Sequence, residues 1–455
     1  MNNRRYLMMF LVLAFVFVLA ACSGGGKNDP ATGGNATNNE AGEKQTEQPV
    51  NGNKESPPDD KKPAEVVEIK WFRQEVGASR NKEFFKKIED KFHEQNPDIK
   101  VIGIANNSNL TVTEFLKTSL ASGDMPDVMT MMTVDEFADA GALLEIPDDI
   151  ANLLADPDFG RKDGKLYTVP YKTDVIGVFY NKDLFEQWGV EVPKTWAEFV
   201  AIIEKSKENK TTPLSISGKD SWVLGMGGLW PLIGAEALEK NPEFPTQRAQ
   251  GEVDFTDPVF ASAMQKFSDL NTMGAFGKGV LGINYQQATE QFTSGKAAMY
   301  MNGSWVAGSD FPNLQPGFDV GFFPLPSETA VKGYMAKGTE GWSVSSTTEH
   351  PEAALKFLKF LFEDEEVYAS LIETEAAFST TAKQIMYPVN EYGQAVLDGI
   401  EGYEPYPLPG FGLGESAWAP GIDSFIFKIL QNVVSGSDIQ KEIADANKEW
   451  QRLIN

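Results

Sequence analysis

A regular alternation of strand-like and helix-like segments after residue 65 restricts the possible folds more than any other feature of the chain. The signals come in the following order: a strand at 66–72, a helix with Phe84, Ile88 and Phe92 on one face, a strand at 99–104, a helix at 113–121 and a strand at 128–132. This repeated β-α-β order predicts α/β layers around a mostly parallel sheet. Gly123 is expected to end the second of these helices.

The chain begins with a segment typical of exported proteins. Two arginines precede an apolar run at residues 7–21, which has the pattern of a secretory signal and is short for a membrane span. The run ends at Leu19-Ala20-Ala21-Cys22, which resembles the lipobox of bacterial lipoproteins. This resemblance implies a signal peptide at 1–21 and a palmitate-type acyl group on Cys22, the only cysteine of the chain. The alternative is an ordinary secretory signal that ends at a cysteine by chance.

The segment after Cys22 has the composition of a spacer. Residues 23–65 contain no aromatic residue and one larger aliphatic residue, Val50. Such a segment buries too little apolar surface to offset the loss of chain entropy on folding. We therefore expect residues 22–65 to form a lipidated, disordered tether with a reach of roughly 35 Å.

The charge of the chain restricts its partners. The sequence has 40 Lys and Arg residues against 65 Asp and Glu residues, a formal net charge of −25. This charge disfavours nucleic acid as a partner, because it repels phosphate backbones. Phosphates and organic acids prefer arginine clamps, and few arginines follow the signal peptide. The low arginine content favours a neutral ligand over an anionic one.

The sequence offers little sign of catalysis or of a metal site. His93 and His350 are the two histidines, and neither belongs to a zinc-binding spacing. The segment 156–160 only loosely resembles a calcium loop, because it lacks the glutamate at loop position twelve. A carboxylate pair for glycoside hydrolysis is available by chance in so acidic a chain. We therefore predict no enzyme activity, no cofactor and no metal.

Five local patterns, in order, resemble one protein family, the bacterial extracellular solute-binding proteins of the carbohydrate type, which includes maltose-binding protein. The patterns are Ala121-Ser122-Gly123 with Pro126-Asp127-Val128, then 164–171, then Tyr180-Asn181-Lys182-Asp183 with 193–196, then 292–299 with Asn302-Gly303-Ser304-Trp305, and finally Gly341-Trp342-Ser343-Val344 with 350–354. The resemblance covers essentially all of residues 66–455.

The resemblance implies a two-lobed, periplasmic-binding-protein-like (type II) α/β fold, with hinge strands and a ligand cleft between the lobes. It places an N-terminal lobe at 66–174 plus 326–372 and a C-terminal lobe at 175–325 plus 373–455. Hinge strands are expected near 171–176 and 318–324.

Tryptophan side chains are the first candidates for a sugar site, because their faces can cover the apolar faces of a pyranose. A buried core role is the alternative for each of them. Some tryptophans end strand-like runs and others lie in loops next to Gly or Pro; these candidates are Trp71, Trp305 and Trp342 at strand ends, and Trp222, Trp230 and Trp418 in loops.

Four charged residues are candidates for binding sugar hydroxyl groups. Asp174 lies in the expected hinge, and Asp127 and Glu340 lie next to expected strands. Asp127 has capping of a strand start as an equally good role. Arg73 is a candidate because it follows Trp71 closely.

The family resemblance implies a substrate-binding lipoprotein of an ABC transporter. It would be a monomer, lipid-anchored at the extracellular face of the cell membrane in the Gram-positive manner. It would capture a sugar or oligosaccharide by cleft closure and deliver it to membrane permease subunits. The alternatives are a glycan-acting surface enzyme and a ligand-sensing subunit of a signalling system.

Overall fold

The protein is described from a computed structural model, which describes residues 66–75, 80–106, 110–337, 340–407 and 418–455. The signal peptide, Cys22 and the tether expected at 22–65 lie outside the described residues. All described residues fall within one compact unit, Lys62–Asn455. In this part of the chain, no helix combines the length and the apolar character needed to cross a membrane.

The described strands, in chain order, are β1 Val67–Phe72, β2 Ile99–Ile104, β3 Val128–Met131, β4 Val169–Pro170, β5 Lys172–Asn181, β6 Thr212–Ser215, β7 Ala297–Gly303, β8 Val320–Phe323, β9 Tyr334–Lys337, β10 Gly341–Val344, β11 Phe378–Ser379 and β12 Pro405–Pro407.

The described α-helices are α1 Lys82–Gln95, α2 Val112–Ser122, α3 Asp135–Asp139, α4 Asp148–Ala151, α5 Lys182–Trp188, α6 Trp196–Glu208, α7 Ser221–Val223, α8 Trp230–Lys240, α9 Phe244–Ala249, α10 Pro258–Thr272, α11 Tyr285–Thr293, α12 Trp305–Gly308, α13 Asp310–Leu314, α14 Pro351–Glu363, α15 Glu365–Glu373, α16 Glu391–Ile400, α17 Ile422–Val434 and α18 Ile439–Ile454. A π-helical turn, Leu224–Leu229, joins α7 to α8, and a short 3₁₀ helix spans Val280–Gly282.

The strands form two sheets, and each sheet is the centre of one lobe. The sheet of lobe 1 has the order β2-β1-β3-β10-β4, with β1 parallel to both β2 and β3 and β10 antiparallel to its neighbours. The sheet of lobe 2 has the order β12-β9-β5-β7-β6, and β8 and β11 also pair with β5. The expected two-lobed α/β fold is confirmed.

The first two helices begin and end where their sequences supply capping groups. The side chain of Asn81 accepts hydrogen bonds from the backbone at the start of α1. Thr111 and Glu114 form a capping box at the start of α2, and Gly123 ends that helix with a left-handed φ of 72°. The predicted stop at Gly123 is confirmed. In α1, however, Phe85 is the buried residue and Phe84 is only partly buried.

Two of the expected hinge and boundary positions differ from the structure. The segment expected to cross at 318–324 contains β8, which pairs antiparallel with β5 inside lobe 2. Strand β9 also belongs to the sheet of lobe 2, although the sequence-based boundary at 326 places it in lobe 1. The chain re-enters the sheet of lobe 1 only at β10. The sequence pattern alone does not distinguish these positions, because a short apolar strand has the same pattern in either sheet.

Candidate functional site

Three chain segments meet where the two sheets adjoin. Strand β4 ends at Pro170 in the sheet of lobe 1, and β5 begins at Lys172 in the sheet of lobe 2. Strand β9 ends in lobe 2 and β10 begins in lobe 1 within a few residues. Strand β11 then pairs with the first residues of β5. Side chains from these segments are therefore positioned to face the boundary between the lobes.

A buried group of charged side chains occupies this boundary, and we call it the junction cluster: Arg80, Lys172, Asp174, Glu340 and Glu375. The Nζ atom of Lys172 lies 3.1 Å from an oxygen of Asp174 and 3.0 Å from an oxygen of Glu340, and it also contacts Glu375. All five side chains are almost entirely buried. Buried charges are expensive unless they are paired, and this cluster pairs them across several chain segments.

Neighbouring polar groups complete the junction cluster. Arg80 forms an ion pair with Glu375 through Nη1. The hydroxyl group of Thr130 donates a hydrogen bond of 2.9 Å to Glu340, and the hydroxyl group of Tyr171 donates one of 3.4 Å to Glu375. Burial raises the pKa of Tyr171 well above its ordinary value, so the phenol stays a donor.

The junction cluster is in direct contact with lobe 2 through α12. Gly308 ends α12, and a Cβ atom at this position would lie 2.4 Å from the backbone nitrogen of Ala376. The start of the same helix is tied to β5, because the backbone N–H of Ser304 donates to the carbonyl of Val175 at 2.7 Å. Trp305 therefore begins a helix that is fixed at both ends to the boundary between the lobes.

Trp222, Tyr285 and Trp305 form an aromatic patch on lobe 2. The rings of Trp222 and Tyr285 stack at 5.5 Å with an interplanar angle of 27°, and the rings of Trp222 and Trp305 lie 6.2 Å apart. Trp222 is 39% exposed, which is unusual for so large an apolar side chain. Part of the Trp222 ring therefore remains accessible at the surface of lobe 2.

An acidic side chain holds the tyrosine of the patch in place. The hydroxyl group of Tyr285 donates a 2.6 Å hydrogen bond to Asp310. Burial raises the pKa of Asp310 above its ordinary value, while the bond from Tyr285 opposes that rise. Burial also raises the pKa of Tyr285 well above its ordinary value. The ring of Tyr285 is thereby fixed in the orientation that stacks on Trp222.

Two tryptophans predicted to line the cleft lie in the core of lobe 1. Trp71 and Trp342 are fully buried, with ring centroids 5.3 Å apart. Trp71 also packs on Phe85 at 5.3 Å and on Phe357 at 5.0 Å. Their positions at strand ends suggested projection into a cleft, but α1 and α14 cover them. The structure thus gives them a packing role.

Two tryptophans of lobe 2 that were predicted to lie in loops and line the cleft are also buried in the core. Trp230 and Trp418 are buried with their rings 6.2 Å apart. The indole N–H of Trp418 donates to the carbonyl of Pro245 at 3.2 Å. Trp230 begins α8, which is buried along most of its length. Flanking glycines and prolines indicated loops, but these segments pack into the interior.

Arg73 and Asp127 have partners inside lobe 1. Arg73 lies 3.2 Å from Glu89 and stacks near the ring of Trp71. Asp127 accepts hydrogen bonds from the backbone N–H of Lys70 at 2.6 Å and from the hydroxyl group of Thr348. The contacts of Asp127 hold the start of β3 against β1, and the ion pair of Arg73 joins the end of β1 to α1. For Asp127, these contacts match the structural capping role, which was the alternative to a role in sugar binding.

The structure thus brings together Asp174 and Glu340 at the junction and Trp222 and Trp305 in the aromatic patch. Sequence reasoning missed Arg80, Lys172, Glu375 and Tyr285. Lys172 was detectable, since a lysine two residues before Asp174 in a buried strand requires a counter-ion. Within the described residues, no group of three or more His, Cys, Asp or Glu side chains is arranged to hold a metal ion.

The fold and the site together define a two-lobed binding protein with a polar junction beside an aromatic surface. The family described as bacterial extracellular solute-binding protein matches residues 74–368. The chain belongs to this family.

Comparison with individual proteins agrees with this membership. The chain is 30% identical over 309 residues to the multiple sugar-binding protein of Streptococcus mutans, covering 65% of this chain and 71% of that protein. It is 25% identical to the maltodextrin-binding protein of Bacillus subtilis, covering 81% and 87% of the two chains.

Solved structures share the fold at lower identity. A chitin oligosaccharide binding protein superimposes with a TM-score of 0.72 at 21% identity, covering 85% of this chain and 98% of that chain. The solute-binding protein RafE in complex with raffinose gives a TM-score of 0.69 at 24% identity, covering 85% and 100%.

Proposed function

We propose that the protein is the substrate-binding lipoprotein of an ABC importer and that it captures a neutral sugar or oligosaccharide between its lobes. The ligand would contact the aromatic patch and the junction cluster at the same time. A ligand that touches both lobes favours the closed arrangement by its differential affinity. The loaded protein would then deliver the sugar to membrane permease subunits.

The aromatic patch is the observation that carries this proposal. A sugar ring presents C–H groups on its faces, and stacked indole and phenol rings offer a matching apolar surface. Trp222 stacks on Tyr285 and is still 39% exposed, so part of its ring is accessible to a ligand. The names of sugar-binding relatives support the same ligand class.

The junction cluster favours a neutral, hydroxyl-rich ligand. It contains three carboxylates, Asp174, Glu340 and Glu375, against two cations, Lys172 and Arg80. An ionised carboxylate only accepts hydrogen bonds, so the cluster has an excess of acceptors. Sugar hydroxyl groups donate to such acceptors. A phosphate or carboxylate would add negative charge to a buried site that already has an excess of it.

The proposed anchoring rests on the sequence. The lipobox-like segment before Cys22 supports lipidation at the outer face of the membrane, and membership of an extracellular family supports exposure outside the cell. More than one acyl chain gives stable anchoring. The tether would let the lobes reach a permease in the same membrane.

Calorimetric titration of the full chain in detergent tests the proposal. The probes are raffinose, stachyose, maltotriose and chitotriose, with glucose 6-phosphate as an anionic control. We expect one or more neutral probes to bind and to raise the melting temperature, since a ligand of the folded state stabilises it by mass action. Binding of the phosphate alone contradicts the proposal. Release of smaller sugars during incubation supports the alternative of a glycan-acting enzyme.

A further inference from the structure

Arg80 has a place in the junction cluster that its ion pair does not explain. The residue directly precedes Asn81, the N-cap of α1, and its side chain is only 2% exposed. Burial opposes its charge, but Tyr171, Glu340 and Asp174 outweigh that effect and raise the pKa of Arg80 above its ordinary value. The guanidinium group is therefore a permanent buried cation.

One edge of this guanidinium has no hydrogen-bond acceptor among the described residues. Nη1 contacts Glu375, and the side chain of Arg80 also interacts with the hydroxyl group of Tyr171, whereas Nε and Nη2 are buried without a hydrogen-bond partner among the described residues. The N–H groups of Nε and Nη2 point in parallel from the same edge and form a two-pronged donor. An unpaired buried donor is destabilising, and more so when it is charged. Such an edge is explained if a ligand supplies two adjacent acceptors.

The charges around Arg80 decide which acceptors fit. The cluster already has one more carboxylate than it has cations, so a carboxylate on the ligand would leave two uncompensated negative charges in a buried site. Two adjacent hydroxyl groups carry no charge. Their oxygens accept from Arg80, and their protons are available to Asp174, Glu340 or Glu375. Neutral neighbouring hydroxyl groups thus satisfy donors and acceptors together.

We propose that Arg80 is a ligand-binding and specificity-determining residue, and that its Nε–Nη2 edge binds two adjacent free hydroxyl groups of one neutral sugar ring. This inference rests on the proposed function and specifies its ligand further. The ring at the junction must carry a vicinal diol without a substituent on either oxygen. A uronic acid, whose carboxylate also matches a two-pronged donor, is excluded by the charge of the site.

Replacement of Arg80 by lysine separates the donor edge from the charge. R80K keeps a cation beside Glu375 but removes the parallel N–H pair. The matched control is R452K, which alters an exposed arginine paired with Glu449 on α18. Both variants and the wild type are made as full chains and compared by thermal melting without ligand. They are then titrated with raffinose, stachyose, maltotriose, chitotriose and digalacturonate.

We expect R80K to melt at or above the wild-type temperature and to bind the best neutral probe roughly 10- to 100-fold more weakly, as loss of hydrogen bonds from a charged donor predicts. R452K should match the wild type in both measurements. A much lower melting temperature for R80K overturns the inference, because it shows that the edge is engaged within the protein. Unchanged affinity of R80K overturns it as well.

Two further outcomes separate this inference from the proposed function. Binding of digalacturonate that is lost in R80K shows that the edge takes a carboxylate, which overturns the diol assignment but leaves solute capture intact. Failure of the wild type to bind any of the five probes contradicts the proposed function itself, and the diol assignment falls with it. If the wild type and R452K bind a neutral sugar and only R80K loses this binding, the result supports both the diol assignment and the proposed function.

Discussion

The ammonium group of Lys172 lies 3.0 Å from the carboxylate of Glu340, so the strand that leaves lobe 1 is tied to the segment that returns to it. Both side chains are 4% exposed. Lys172 also holds Asp174 and Glu375, and one cation thus joins three chain segments at the boundary between the sheets. The geometry of the proposed ligand site depends on this residue.

Replacement of Lys172 by methionine should strongly destabilise the protein. The variant leaves three buried carboxylates with Arg80 as their cation, and breaking a buried ion pair on one side costs about 3–5 kcal/mol. Chemical denaturation of the full chain measures the loss. The control is K86M, because Lys86 forms an exposed pair with Asp90 and such pairs contribute about 0–1 kcal/mol. Equal stability of the two variants would show that solvent screens the junction cluster.

The close approach at Gly308 should make even alanine unfavourable there. The Cβ atom of G308A would meet the backbone of residues 375 and 376 at under 3 Å, so α12 or the opposite segment must shift. Overpacking of this kind costs about 1–3 kcal/mol. G317A is the matched control, because a Cβ atom at Gly317 meets nothing within 4 Å. If both variants melt alike, α12 moves freely against the 375–376 segment.

The raised pKa of Asp310 predicts a defined dependence of stability on pH. A carboxyl group whose pKa is raised on folding binds more protons in the folded state, so its contribution is greatest below the unfolded pKa and is lost as pH rises through the folded pKa. D310N removes this titration. As pH rises from about 4, the ordinary pKa of an aspartate, through the raised pKa of Asp310, the variant should therefore gain stability relative to the wild type, by about 1.4 kcal/mol per unit of pKa shift.

Melting curves of D310N and the wild type across this pH range measure the difference. D269N is a control at an exposed aspartate for which no ion pair is seen among the described residues. A stability difference between D310N and the wild type that stays constant with pH would show that Asp310 titrates normally in the folded protein.

The proposed anchor predicts release of the protein on a single substitution. Cys22 is the only thiol of the chain, so C22S removes the acylation site and nothing else that reacts in the same way. We expect the variant to appear in the culture medium, while the wild type remains with the membrane fraction. Labelling with a radioactive fatty acid provides the second measurement. Retention and labelling of C22S would contradict the lipoprotein proposal.

Much of the fold could be predicted from the sequence because local signals and tertiary packing agree there. The stop at Gly123 follows from its left-handed conformation, and Pro351 begins α14 as a first-turn proline does. The sequence pattern places Phe84 on the buried face of α1, but the structure buries Phe85 there. Both lie on adjacent sides of the same helix, and only the position of the sheet decides which one is covered.

The site was harder to predict, because a strand end does not reveal what covers it. The sequence pattern predicts both Trp342 and Trp305 at the ends of strand-like runs, yet Trp342 is buried at the start of β10 and Trp305 lies in the patch with exposed Trp222. The difference comes from α14, which packs over the sheet of lobe 1. The family resemblance implies a hinge segment that contains Asp174, whereas Arg80 reaches the junction from a loop that carries no such signal.

The two classes of tryptophan predict opposite results in one paired experiment. W342A removes a fully buried ring from the core of lobe 1 and should cost about 3–5 kcal/mol of stability. W222A removes a half-exposed ring and should leave the melting temperature nearly unchanged. It should weaken binding of the best neutral probe roughly 3- to 10-fold, since an aromatic stacking contact contributes about 0.5–1.5 kcal/mol. Denaturation and calorimetric titration of both variants provide the two measurements. If W222A binds like the wild type while W342A stays stable and binds weakly, the sugar-stacking surface lies in lobe 1, and the aromatic patch has another role.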